Sequence, residues 1–355
     1  MGKLLALLAL FLAAGSAAFG QTLEELLKEL PKIKSPKELS KKIENLPKEE
    51  RLKLKILLLT YSGREEEAEK LLKAVRESPV LSHVLNLPRG LYAVVVDKEE
   101  ELLYVVSFKS NAPQVVKTFK CITGKRKGDK LKEGDMRTPE GVYFPLYWNS
   151  NLPPTYGIGA YPLNYPNLID KKLLKRDGHG IWIHGTNEPN RPPHSTNGCI
   201  VLKNEDLKEL QKYISLKRTP VVVVASVKGS SKGELKREAE GLLNFIEKWK
   251  RAWEETPKNI KPYLDCYSKE FVWKGGDYNS WRKKKERITR SKKWIKIKIS
   301  DLTAAKDGRV LKLGNLYVVR FKLDYRSNNF NSKVNKLLYV IRERGRWKIV
   351  GEENL

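Results

Sequence analysis

The sequence predicts an α+β multidomain chain: a helical N-terminal region, a β-rich middle, and a C-terminal part in which helices pack on one face of a curved antiparallel sheet. Three observations carry this. Leu23, Leu26, Leu27 and Leu30 recur at helical spacing. Runs rich in Val, Tyr and Phe follow between residues 92 and 227. After residue 234 a helical pattern gives way to long runs of strand composition. With 355 residues, 40% of them hydrophobic, the chain can form two domains with ordinary cores and an appendage.

Residues 1–20 read as a secretory signal peptide. Lys3 supplies the positive start, residues 4–14 an apolar run short for a bilayer, and Ala18-Phe19-Gly20 a small-x-small cleavage site. The chain is therefore expected to be exported, to the periplasm or cell envelope, and to begin near Gln21 when mature; an uncleaved anchor is the alternative. No cysteine follows the cleavage site to carry a lipid, and no later stretch could span a membrane.

Residues 21–87 read as helical, with breaks at Pro31 and Pro47 and a helical pair joined at Ser62-Gly63. Leu52, Leu54, Ile56, Leu57, Leu58 and Leu59 give more apolar surface than one short helix needs. A second copy, forming a homodimer, the following domain or neighbouring helices would cover it.

Pro88-Arg89-Gly90 marks the entry to a β-rich domain over residues 88–227. Residues 92–97, 101–109 and 114–123 read as successive strands, 124–134 as a basic, mobile loop, and 141–146 as another strand. Residues 153–167, rich in Gly, Pro and Tyr (Tyr156, Tyr161, Tyr165), either line a cleft or pack back on the sheet. Asn204 suits an N-cap for a helix to about residue 213, and residues 220–227 form an apolar strand fit for the middle of a sheet. Residues 228–234 read as a flexible linker. Residues 235–355 then give helix, a short helix at 281–288, and strands near 294–303, 309–325, 336–344 and 347–350.

The chemistry gathers in residues 181–202, I-W-I-H-G-T-N-E-P-N-R-P-P-H-S-T-N-G-C-I-V-L, where His184, His194 and Cys199 lie between two short strands. Pro189, Pro192 and Pro193 limit the loop's conformations. Cys199 is the candidate nucleophile; a thiol near its ordinary pKa is mostly protonated at neutral pH and needs a base, for which His184 is the candidate. Gly198 permits a tight turn, and amides near 198 and 199 would stabilise an oxyanion, each worth about 3 kcal/mol. Thr196, Asn197 and Ser195 shape that turn. Arg191 and His194 either meet a substrate carboxylate or are solvated loop residues. A rival is a structural zinc site from His179, His184, His194 and Cys199: the ligand types fit, but the spacing matches no common zinc pattern. The three cysteines leave Cys199 free, with Cys121 and Cys266 either bridged or buried as small hydrophobes.

His184-Gly185-Thr186, Ser195-Thr196-Asn197-Gly198-Cys199-Ile200 and the upstream Gly134-Asp135-Met136-Arg137-Thr138-Pro139-Glu140-Gly141 resemble the L,D-transpeptidase (YkuD-type) catalytic domain. The chain departs from that pattern with Asn197 where many members carry a second histidine, and with a short interval from His184 to Cys199. The resemblance implies an enzyme without cofactor that acts on peptidoglycan stem peptides, Cys199 forming a thioester at the diamino acid–D-alanine bond. Water would then give L,D-carboxypeptidase trimming of tetrapeptide to tripeptide, and a second stem's amine a crosslink. It also implies that a carbonyl near Gly185 orients the imidazole. Arg137, Thr138, Tyr156, Arg191, His194 and Ser195 are the substrate-binding candidates.

The last third resembles the nuclear-transport-factor-two-like fold in Tyr263-Leu264-Asp265-Cys266-Tyr267-Ser268 and Gly345-Arg346-Trp347-Lys348-Ile349-Val350, which implies a cone-like domain with a curved antiparallel sheet. The pairing of the two domains is similar to that of cell-shape L,D-carboxypeptidases. A non-catalytic wall-binding protein is the alternative, against which His184 and Cys199 stand intact. The net charge of +27 would suggest nucleic acid, but export excludes it. Residues 235–355 hold 31 basic against 15 acidic side chains, so +16 sits there. That domain either meets an anionic envelope polymer or glycan, or simply carries a solvated charged surface of thermophile-like composition.

Overall fold

The computed structural model describes residues 80–355 except 110, 111, 228 and 313, together with 38, 42, 43, 54, 55, 59, 63, 64, 66 and 67. Residues 1–20, read as a signal peptide, and most of 21–87, read as helical, lie outside the described residues; 38, 42, 43, 54, 55, 59, 66 and 67 are helical. The chain divides into two compact units, Met1–Ser78 and Pro79–Leu355.

The second unit opens with β1 (Val80–Leu81) and β2 (Val84–Asn86). These residues are strands, where the sequence reads as helix up to residue 86. Strand partners far along the chain override the local pattern: β2 adds to the C-terminal sheet, and Asn86 donates to the Leu302 carbonyl at 2.7 Å. Next come β3 (Ala93–Asp97), β4 (Leu102–Lys109), β5 (Ala112–Lys120), β6 (Gly141–Tyr143), β7 (Ala160–Pro162), α1 (Leu168–Lys172), β8 (Trp182–His184), β9 (Ile200–Val201), α2 (Asn204–Leu210) and β10 (Val221–Val224). The remainder is β11 (Gly229–Ser230), α3 (Lys232–Glu254), α4 (Lys261–Leu264), β12 (Tyr267–Trp273), β13 (Gly276–Asp277), α5 (Tyr278–Thr289), β14 (Ile295–Leu311), β15 (Gly314–Ser327), β16 (Phe330–Glu343) and β17 (Arg346–Asn354).

One sheet runs β5-β4-β3-β10-β6, and the all-valine β10 lies parallel to β3 and antiparallel to β6, buried throughout as its composition predicts. A three-stranded sheet, β7-β8-β9, stands apart, and seven strands order as β13-β12-β17-β16-β15-β14-β2. The long strands of this last sheet pair in antiparallel hairpins against α3, whose Leu242, Phe245, Ile246, Trp249 and Trp253 are buried. A second core spans both parts of the unit: Val95, Val142, Ile169 and Val222 cluster with Val318, Tyr339 and Val350. The catalytic-type and C-terminal parts are thus joined by shared packing as well as by chain.

Three local readings differ from the structure. Residues 228–234 are not a free linker, since β11 pairs with β1 and Ser231 caps α3 in a reciprocal box with Glu234. The basic loop at 124–134 is pinned: Lys130 is 3% exposed and bonds Asp135 at 2.8 Å, and Lys98 donates to the Gly128 carbonyl at 2.6 Å. Asn204 is the first residue of α2, with Lys203 at the cap, and its side-chain amide bonds Ile158 and Asn187. Cys121 and Cys266 are free and buried, not bridged.

Candidate active site

The site is built on β8, which lies between β7 and β9. Its register sets Ile183 beside Ile200 and His184 beside Val201. Ile183 and Ile200 are wholly buried on one face, so alternation places Trp182, His184 and Cys199 on the other. Cys199 stands one residue before β9, level with Trp182, whose amide donates to its sulfur; the thiol itself reaches the Gly180 carbonyl at 3.4 Å. Histidine and cysteine, separated by a loop in sequence, become neighbours on one strand pair.

His184 is 5% exposed, and its Nδ1 lies 2.6 Å from the Gly185 carbonyl. A carbonyl can only accept, so Nδ1 carries the proton and Nε2 is the free acceptor. The Tyr156 ring stands edge-on to the imidazole at 4.9 Å and packs on Trp182 at 5.1 Å. Burial lowers the His184 pKa to about 4, opposed by the Gly185 carbonyl and assisted by the Arg191 charge. Burial raises the Cys199 thiol, opposed by the Trp182 amide and by the charges of Arg191 and Lys130. At neutral pH the pair therefore rests as thiol and neutral imidazole, suited to proton removal during attack rather than to a standing thiolate.

The turn before Cys199 is held by Thr196, whose hydroxyl donates to the Cys199 carbonyl at 2.8 Å and accepts the Gly198 amide at 3.0 Å. Gly198 has φ 132°, and a Cβ there would meet the Arg137 carbonyl at 2.8 Å, so glycine is required. Asn197 is exposed. Ser195 accepts from Arg191 Nε at 3.3 Å. His194, at φ 46°, turns to Glu101: its amide donates to both carboxylate oxygens at 3.1 and 3.2 Å, and its Nδ1 lies 3.1 Å from Oε1. Thr138 is fully buried and accepts the Gly124 amide at 2.9 Å; Arg137 donates to the Asp129 carbonyl at 3.3 Å. Tyr161 and Tyr165 pack into the core, leaving Tyr156 as the tyrosine at the site. His179 is exposed and pairs with Glu133 at 3.2 Å, and among the described residues no three His, Cys, Asp or Glu side chains are placed to hold a metal.

Sequence reasoning missed Trp182, Glu101 and Asn204. Asn204 Oδ1 accepts the Ile158 amide at 3.1 Å, and its Nδ2 donates to Asn187 at 2.8 Å. Asn187 in turn donates to the Pro154 carbonyl at 2.9 Å. A Cβ on Gly157 or Gly185 would lie 2.0 or 2.3 Å from Asn204 Oδ1, so both glycines make room for this amide. It ties the segment bearing Tyr156 to the segment that follows His184. Nothing local in the sequence signals a clamp between residues this far apart.

Residues 91–223 match the family of the L,D-transpeptidase catalytic domain, and residues 241–353 match the Cds6 C-terminal NTF2-like domain. Among solved structures the chain is similar to Bd1075 of Bdellovibrio bacteriovorus, 28% identical over 78% of this chain and 98% of that one, with a TM-score of 0.65. It is also similar to the helical cell shape determining protein Pgp2 of Campylobacter jejuni, 29% identical over 79% of this chain and 97% of that one, with a TM-score of 0.64. No match is found among curated proteins.

Proposed function

We propose that this chain, which pairs an L,D-transpeptidase catalytic domain with an NTF2-like domain, is an exported cysteine acyl-transfer enzyme of the cell envelope acting on peptidoglycan stem peptides. The observation that carries the reading is the Gly185 carbonyl at 2.6 Å from His184 Nδ1, which leaves Nε2 as the proton acceptor of a side chain on the face that also bears Cys199. His184 Nε2 takes the thiol proton as the sulfur attacks the carbonyl at the L-centre of the diamino acid. The tetrahedral oxyanion falls to the Cys199 amide, since the Gly198 amide is already engaged by Thr196. Collapse breaks the amide bond, D-alanine leaves with the proton returned by His184, and a thioester remains on Cys199. Water activated by His184 then releases tripeptide and restores the thiol; a second stem's amine in its place gives a crosslink.

Arg191 bears on both His184 and Cys199 and is the anchor assigned to the D-alanine carboxylate. A bound carboxylate would offset the guanidinium charge and so strengthen His184 as a base when substrate is present. Trimming is put ahead of crosslinking because Tyr156, on a segment held by Asn187 and Asn204, packs against His184 and reduces the room beside it for a second peptide strand. The similarity to a helical cell shape determining protein points to a role in cell shape. Incubation with disaccharide tetrapeptide is expected to release D-alanine and leave tripeptide; dominant dimers linked through two diamino acids would reject trimming.

With His184 near 4, the free base is present above that pH and lost as pH falls through it. The value of kcat/KM is therefore expected to hold from pH 7 down to near 5. Half-loss near the ordinary histidine value of 6.5 would show that the imidazole is not buried as described.

A cavity of 1160 Å³, open on one side, lies between the C-terminal domain and α1, lined by Trp253, Trp273, Trp281, Lys284 and Lys285 of the former and by Lys171 and Lys172 of the latter. Lys285 stands 4.3 Å over Trp253 and 4.4 Å over Trp281, and burial lowers its pKa to about 7. Indole floors beside cations suit the assigned partner, an anionic envelope polymer or glycan. Binding to isolated sacculi is expected to weaken as salt rises from about 50 to about 300 mM, and to weaken further in Lys171→Glu/Lys172→Glu. Salt-insensitive binding, equal in the variant, would reject this role.

A further inference from the structure

Arg309 lies on β14 of the C-terminal domain, yet its buried guanidinium serves the catalytic one. Nε and Nη2 donate to Asp307 at 2.8 and 2.6 Å, while Nη1 donates to Asp170 on α1 at 2.9 Å. Gly141 closes the segment Thr138-Pro139-Glu140-Gly141 with φ 142°, and a Cβ on it would stand 2.7 Å from Arg309 Nη2. The glycine is required here because a side chain from the other domain, together with Tyr143, fills the space.

The contacts continue toward the nucleophile. Asp170 also receives Arg176 Nη1 at 3.5 Å, and the other end of Arg176 pairs with Asp129. Asp129 accepts the Glu140 amide at 2.8 Å through its carboxylate and Arg137 Nη1 at 3.3 Å through its carbonyl. The Arg137 carbonyl is the atom against which Gly198 is seated. Removal of the guanidinium leaves Asp307 and Asp170 buried without their main cation, which is strongly unfavourable unless Arg176 or α1 moves to compensate. Either movement releases Asp129, and with it the loop behind Cys199.

We propose that Arg309 is a positioning residue for catalysis: through Asp170, Arg176 and Asp129 it holds the loop on which Gly198 and Cys199 rest, so that the accessory domain completes the active site. This deepens the acyl-transfer reading and rests on it for the substrate alone. The full chain carrying Arg309→Met is assayed for D-alanine release, and for the pH midpoint of Cys199 alkylation by iodoacetamide, read by intact mass. Misplacement of the turn is expected to lower kcat about tenfold with KM within about twofold, and to move the alkylation midpoint. Arg309→Lys should recover part of the loss. As a control, Leu242→Ala in the α3 core should lower the melting temperature and move neither readout.

A folded Arg309→Met chain with wild-type kcat and midpoint overturns the proposal, as does a Leu242→Ala chain that shifts both equally. Should Arg309→Met fail to fold, Arg176→Met leaves the Arg309–Asp307 pair in place, and wild-type values there overturn it. If the wild-type chain releases no D-alanine, the reaction reading fails, and the alkylation midpoint still decides the role of Arg309.

Discussion

Cys199→Ala is expected to abolish D-alanine release, by about 10⁴-fold or more, because alanine offers no sulfur to form the thioester. Cys121 and Cys266 are buried, and burial raises both thiols, so neither can substitute. The fold should survive: the Cys199 side chain is half-buried and its thiol reaches one carbonyl at 3.4 Å. The measurement is product release by mass spectrometry alongside a thermal melt. Residual turnover at wild-type rate in a folded variant would end the thioester mechanism.

His184→Gln is expected to cost nearly as much, since an amide can occupy the space without taking a proton at neutral pH. The loss should appear mainly in kcat. The double variant with Cys199→Ala should be no slower than Cys199→Ala alone, because nucleophile and base act as one unit. If the two losses multiply instead, His184 serves some step other than activation of this thiol.

Much of the site was legible because its chemistry is contiguous: two short strands, a proline-rich loop and a glycine before a cysteine declare themselves within residues 181–202. The long strands β14–β17 were legible from their content of Val, Ile, Tyr and Phe, but not their bounds: residues 309–325, read as one strand, take in the end of β14 and most of β15. What escaped reading depends on contacts distant in sequence. Asn204 has the composition of a cap but bonds Ile158 and Asn187 instead. Glu101 reads as the first residue of a strand, yet its carboxylate accepts the Thr123 amide at 2.6 Å and holds His194. The stretch at 228–234 is a different case, since the Ser231-x-x-Glu234 box was visible locally and outweighs the flexible composition around it.

The pairing of β2 with β14 also bears on the order in which the protein can form. Val84 and Asn86 find Ala305 and Ala304 as partners, more than two hundred residues later in synthesis. Closing so long a loop is slow, and until it closes the apolar Val84 and Leu85, both buried in the finished molecule, stay exposed to aggregation and proteolysis. A nascent chain halted before residue 304 would hold the whole of residues 91–223, Cys199 included, and still lack the strand against which Val84 and Asn86 lie. Assembly of this unit therefore has to wait until β14 has been made.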